Sequence, residues 1–103
     1  MNINVSSISK KFSTRESGAA ARLTVLHKLS SARGAITLNF VGIEPTPSFA
    51  DEFVGRLAEE LGEANFRERI RFENLAQSTR FLLQTVVTKR LRTATSNSGR
   101  KSA

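Results

Sequence analysis

Ile36-Thr37-Leu38-Asn39-Phe40-Val41-Gly42-Ile43-Glu44-Pro45-Thr46-Pro47-Ser48-Phe49-Ala50-Asp51-Glu52-Phe53-Val54-Gly55-Arg56-Leu57-Ala58-Glu59-Glu60-Leu61 is the stretch in which the hydrophobic period changes. Ile36, Leu38 and Phe40 point one way and Thr37, Asn39 and Val41 the other, so Ala35 to Ile43 reads as a strand with one buried face. Gly42 and Pro45-Thr46-Pro47 break it. From Ser48 onward Phe49, Ala50, Phe53, Val54, Leu57, Ala58 and Leu61 fill one stripe of a helix. Asp51, Glu52, Arg56, Glu59 and Glu60 fill the opposite side.

Working outward, Asn2-Ile3-Asn4-Val5 alternates as a short first strand, with Ile8 and Phe12 continuing the apolar signal less regularly. Ser13-Thr14-Arg15-Glu16 matches a capping box with Ser13 as the cap, and predicts a helix through about Leu29 that buries Ala19, Leu23, Val25, Leu26 and Leu29. Downstream, Gly62 stops the central helix and a polar linker leads to a third strand, where Ile70 and Phe72 alternate with Arg69, Arg71 and Glu73. Asn74 to about Thr93 forms a last helix with Phe81, Leu82, Leu83, Val86, Val87 and Leu91 on its apolar side. The order β-α-β-α-β-α implies an α/β domain with right-handed crossovers. Strands covered on both faces read as continuous apolar runs, whereas these three alternate. The expectation is a two-layer sandwich, helices on one face of a small sheet and a polar face left open.

Composition narrows the chemistry. The 103 residues form one domain, residues 1–93, with 39% hydrophobic content and no cysteine, which excludes disulfide frameworks, thiolate metal sites and cysteine nucleophiles. No apolar run reaches bilayer length and Met1 to Lys11 lacks the apolar core of a signal peptide, so a soluble, cytoplasmic protein without membrane partners is expected. Sixteen Lys and Arg against nine Asp and Glu give +7. Five of the basic residues (Lys89, Arg90, Arg92, Arg100, Lys101) lie in the last fifteen positions, which leaves the body near +2. Thr93 to Ala103 carries no large apolar group, so a disordered basic tail is expected over 94–103. Such a tail serves as a nucleic-acid arm, or simply complements a helix dipole and aids solubility.

The residues Leu38-Asn39-Phe40-Val41-Gly42-Ile43 and Pro47-Ser48-Phe49-Ala50-Asp51-Glu52-Phe53 resemble a prokaryotic STAS-like domain family of unassigned function. In that family the strand commonly ends Leu-Asp-Phe-x-Gly-Val and the next helix opens Ser-Phe-x-Asp-Glu. Arg15, Gly18 and Arg22 upstream and Phe72-Glu73-Asn74 downstream extend the likeness from about Phe12 to Leu91. Asn39 stands where the family's strand aspartate is usual. STAS domains include antagonists of anti-sigma factors, so the resemblance implies a regulatory protein that docks on a kinase-like ATP-binding partner. It also implies a phosphorylated serine at the start of the helix, the place Ser48 holds, although Thr46-Pro47 replaces the Asp-Ser that precedes that serine in the antagonists.

Two registers are open at that helix start. Ser48 caps it, in a Ser-x-x-Asp box with Asp51, or Thr46 caps it with Pro47 at the first helical position and Ser48 in the first turn. The expected docking edge is Thr46, Pro47, Ser48, a partly accessible Phe49, exposed Asp51, Glu52 and Arg56, and Asn39 at the strand end. Asp51 and Glu52 point about 100° apart on a helix and make no acid/base pair, and the single histidine, His27, has no partner for a metal site. No phosphate loop, nucleophile elbow, zinc-protease or dinucleotide motif is present, so we read a non-enzyme without cofactor. The alternative is a small nucleic-acid-binding protein using the basic tail and an open sheet face with Arg69 and Arg71. Monomer and homodimer are both open to a chain with exposed strand edges.

Overall fold

The computed structural model describes residues 1–102, with side chains described for residues 1–93. The chain runs β1 (Asn2–Asn4), α1 (Val5–Ile8), α2 (Arg15–Ser31), β2 (Ile36–Asn39), α3 (Pro47–Ala50), a π-helical turn (Asp51–Gly55), α4 (Arg56–Leu61), α5 (Glu63–Arg69), β3 (Ile70–Glu73) and α6 (Gln77–Ser102). The tail expected to be disordered, 94–103, falls outside the residues whose side chains are described. The three strands form one parallel sheet in the order β1-β2-β3. Ile3 pairs with Leu38 and Leu38 with Phe72, and Asn39 pairs with Glu73 at the end of β2.

Alternation survives in every strand. Ile3, Ile36, Leu38 and Ile70 are buried, while Asn2, Asn4, Arg71 and Glu73 are exposed. Segments 47–50, 51–55 and 56–61 join without leaving helical backbone angles and make a single central rod. Its predicted apolar stripe is the heart of the core, where Phe49, Phe53, Val54, Leu57 and Ala58 are fully buried. Phe12, Phe49, Phe53, Phe40, Phe72 and Phe66 form a continuous string of ring contacts, with centroids 5.6–6.4 Å apart. Each favourable aromatic pair adds about 0.5–1.5 kcal/mol beyond its buried area. Of the seven phenylalanines only Phe81 lies outside this string.

Several details depart from the sequence reading, among them the second strand, which ends at Asn39 rather than Ile43. The strand expected to reach Val5 turns there into the short helix α1. Thr14, not Ser13, caps α2, its Oγ1 accepting from the Ser17 N–H at 3.1 Å. Within α2 the buried positions are Gly18, Ala21, Val25 and Leu29, and Leu23 is 62% exposed. The linker after Gly62 is the helix α5, anchored by a single buried residue, Phe66. Phe81, assigned to the apolar side of α6, is 71% exposed, whereas Leu83 and Val86 are buried. An apolar count cannot tell which of several adjacent large residues a helix turns inward.

Candidate functional site

The helix-start question resolves at Thr46. Its Oγ1 accepts from the Phe49 N–H at 3.3 Å, and Pro47 takes the first helical position, where its missing N–H costs nothing. Thr46 also ties the turn to the loop before α2. Its backbone N–H donates to the Phe12 carbonyl at 2.9 Å, and its hydroxyl donates to the Ser13 carbonyl at 3.0 Å. Ser48 therefore sits half-buried in the first turn and is not the cap, Pro47 is exposed, and Phe49 is fully buried rather than partly accessible. Asn39 is a turn residue. Its Oδ1 accepts from the Val41 N–H at 2.9 Å and from the Asn74 side-chain amide at 3.0 Å, joining the ends of β2 and β3.

One turn beyond Ser48 lies a junction of three helices. Asp51 and Glu52, expected to be exposed, have side chains only 16% and 14% accessible, because arginines from α2 and α6 lie against them. Arg90 of α6 grips Asp51 with both arms of its guanidinium, Nε to Oδ1 at 2.9 Å and Nη2 to Oδ2 at 2.7 Å. Such a fork is the strong form of a charged hydrogen bond. From the first turn of α2, Arg15 donates to Asp51 at 2.9 Å and to Glu52 at 3.2 Å. Arg22, two turns along the same helix, donates to the Glu52 backbone carbonyl and to its carboxylate at 3.0 Å. Arg56 reaches Glu52 from one turn on, at 3.4 Å, and Arg22 lies 3.3 Å from Glu60. In both of these last pairs the Nε atom is within ion-pair reach without a hydrogen bond.

Two glycines permit the convergence. A Cβ on Gly18 would stand 2.8 Å from the Phe49 carbonyl oxygen, and one on Gly55 would stand 2.9 Å from Asp51 Oδ1 and 3.2 Å from the Arg90 side chain. Only a residue without a side chain lets α2 and α6 approach the rod this closely. The rod's π-helical turn coincides with the junction, running from Asp51 to Gly55.

The charges follow the geometry. The Arg90 fork holds the Asp51 carboxyl down at about 2 against its ordinary 3.8, over the opposing effect of partial burial and with further help from Arg15. Burial pushes Glu52 up, and the hydrogen bonds from Arg22 and Arg15 more than offset it, leaving it below its usual value. Arg15 and Arg90 are shifted upward by the same bonds to Asp51. Both carboxylates are thus held ionised, with their oxygens committed to guanidinium groups.

Arg69 leaves the sheet face on which it was expected. Its guanidinium donates to the carbonyls of Leu29, Ala32 and Gly34 at 3.0–3.1 Å and so caps the end of α2. Of that pair, Arg71 is exposed. The sequence reading missed Arg90 as a partner of Asp51 altogether. The signal for α2 was present, because Arg15, Gly18 and Arg22 at i, i+3 and i+7 share one helix face.

A family model described as the STAS-like domain of unknown function (DUF4325) matches residues 18–80. The chain belongs to that family. No curated protein and no solved structure matches it. The matched span of this STAS-like domain starts at Gly18, the close-approach glycine of α2, and contains the three strands' second and third members, the Ser48 turn, and Asp51 and Glu52. Arg15 and Arg90, the two residues that share Asp51, lie outside it. Among the described residues no helix is long and apolar enough to cross a membrane.

Proposed function

We propose that this STAS-like domain is a cytoplasmic, non-catalytic regulatory module. It docks on a kinase-like ATP-binding protein through the turn and helix start at Thr46, Pro47 and Ser48, and phosphorylation of Ser48 controls the docking. The position of Ser48 carries the reading. With Thr46 as the cap, the serine is free of that duty and stands in the first turn of a rod that a partner reaches beside exposed Pro47. The committed state of Asp51 and Glu52 supports a non-catalytic role, since an acid or base needs an oxygen and a proton to spare. The exposed polar residues Asn2, Asn4, Arg71 and Glu73 support a two-layer sandwich with helices on one face of the sheet.

The junction also supplies a mechanism. Ser48 precedes Asp51 and Glu52 by three and four residues, so all three share a face of the rod. A phosphate on Ser48 brings close to two negative charges next to both carboxylates and competes with them for Arg15, whose side chain is 55% exposed. The expected result is a loosened link between the start of α2 and the rod, at the edge offered to the partner. Pull-down from host lysate with ATP present, comparing wild type with Ser48→Asp and Ser48→Ala, tests this. The reading expects an ATP-binding kinase-like protein with wild type and Ser48→Ala and its loss with Ser48→Asp. Equal recovery by all three forms removes the phosphoserine, and absence of any such protein removes the docking function.

A further inference from the structure

The charge of this protein is concentrated in one element. From Gln77 to Ser102 the sequence of α6 holds Arg80, Lys89, Arg90, Arg92, Arg100 and Lys101 and no acidic residue. The rest of the chain has nearly balanced charge. Of the α6 cations with described side chains, Arg90 is committed to Asp51, while Arg80, Lys89 and Arg92 are exposed and form no ion pair among the described residues. Helical spacing puts Phe81, Thr85, Thr88, Lys89 and Arg92 on one side of α6, with Arg80 and Gln84 along its margin. Gln84, Thr85, Thr88, Lys89 and Arg92 line a shallow concavity. Phe81, the one phenylalanine outside the aromatic string, lies on this face at 71% exposure.

We propose that the exposed face of α6 binds a single strand of nucleic acid. Arg80, Lys89 and Arg92 meet its phosphates, Gln84 and Thr88 hydrogen-bond along its backbone, and Phe81 stacks on an unpaired base. Exposed cations supply the phosphate attraction, and an exposed aromatic ring accepts any base because every base has a π-face. The chemistry of the face separates this ligand from the other anionic candidates. A membrane-surface helix needs a broad apolar face to bury, and an acidic protein partner needs an apolar core to its interface. Here Leu83 and Val86 are turned into the domain and Phe81 alone among the large apolar residues of α6 is exposed. A nucleic-acid strand requires no apolar row. The surface is distinct from the Ser48 edge, so this inference is independent of the docking function above.

The test is fluorescence anisotropy of the full chain against a labelled oligothymidylate strand and a duplex of equal length, over about 50–200 mM salt. Three phosphate contacts give a log–log salt slope of about −2 for the single strand. The double variant Lys89→Glu/Arg92→Glu is expected to weaken binding at least tenfold and to flatten that slope. Phe81→Ala is expected to weaken single-strand binding about tenfold, from the worth of one stacked base, with the slope unchanged. Arg71→Ala, on the open sheet face, is expected to leave binding unaltered. All the altered side chains are exposed, and unchanged thermal melting verifies the fold of each variant. Absence of binding at about 50 mM salt overturns the proposal, as does binding indifferent to Lys89→Glu/Arg92→Glu. Equal affinity for duplex with no effect of Phe81→Ala overturns the single-strand assignment. Capture by phosphatidylserine vesicles without oligonucleotide binding overturns it in favour of a membrane surface.

Discussion

The two sides of α6 treat the same residue types in opposite ways. Toward the rod, Arg90 is locked in a fork on Asp51, with Val86 and Leu83 buried beside it. Toward solvent, Arg80, Lys89 and Arg92 form no ion pair among the described residues, and Phe81 is exposed. Arginine is thus a structural residue on one side of this helix and an available one on the other. The contrast teaches that net charge is a poor guide to what a basic protein offers a partner. What counts is which cations are already committed, and only the contacts of three converging helices reveal that here.

The sharpest way to break the contrast is to shorten one phenylalanine in the rod against which α6 packs and one on the solvent side of α6. Phe53 is fully buried and touches both Phe40 and Phe49, so Phe53→Ala is expected to cost about 3–5 kcal/mol, the range for emptying a buried aromatic site. Phe81→Ala is expected to change stability by no more than about 0.5 kcal/mol, as for other exposed positions. Urea unfolding of the two variants reads both numbers. A comparable loss for Phe81→Ala would mean that α6 packs its outer face against something and would end the comparison.

Next in size is the charged junction. Asp51→Asn keeps the shape of the side chain but leaves Arg90 facing a neutral amide, with an expected loss of about 1–3 kcal/mol, while Lys89→Ala and Arg92→Ala fall near zero. The pH dependence follows in sign. Because the folded Asp51 carboxyl titrates at about 2, below its ordinary 3.8, its contribution is fully present above 3.8 and is lost as pH falls from there toward 2. After allowance for the partial exposure of the junction this amounts to about 1–2 kcal/mol. Glu52, also shifted downward, adds in the same direction. Thermal unfolding of wild type and Asp51→Asn across this acid range is expected to show the two curves converging as pH falls. Curves that stay parallel would show that the fork contributes nothing.

Much of this architecture is legible from residue spacing, and the losses have specific physical causes. The rod and the three strands announce themselves because their apolar residues keep one period over several turns or pleats, as at Phe49, Phe53, Val54 and Leu57. Glu63 to Arg69 has a single inward anchor, Phe66, and one apolar residue sets no period, so α5 reads as linker. Phe81-Leu82-Leu83 offers three adjacent apolar residues, and which of them turns inward depends on the rod it packs against. The candidate site was legible in part. Ser48 and its turn follow from Thr46-Pro47-Ser48, whereas the arginines that hydrogen-bond Asp51 and Glu52 lie more than 25 residues away in the chain, on α2 and α6. Arg69 illustrates the same limit, since it bonds backbone carbonyls, which carry no side-chain signature at all. Mid-helix glycines were the available clue. Gly18 and Gly55 weaken their helices, and such a residue inside a helical pattern marks a place where another backbone comes close.

The smallest expected effect decides the point on which the docking reading turns. With Thr46 as the cap, Thr46→Ala removes the acceptor for the Phe49 N–H and the hydroxyl's bond to the Ser13 carbonyl, while the backbone bond to Phe12 stays, at a cost of about 1 kcal/mol. Ser48→Ala then changes stability by less than about 0.5 kcal/mol, because the serine holds no cap to lose. Reversed values would make Ser48 the structural residue and withdraw it from regulation, since a hydroxyl needed to close a helix is a poor place for a reversible phosphate. Values in the expected order leave Ser48 dispensable to the fold and available to a partner. The helix start then parallels α6, with one residue committed to structure beside another held ready for contact.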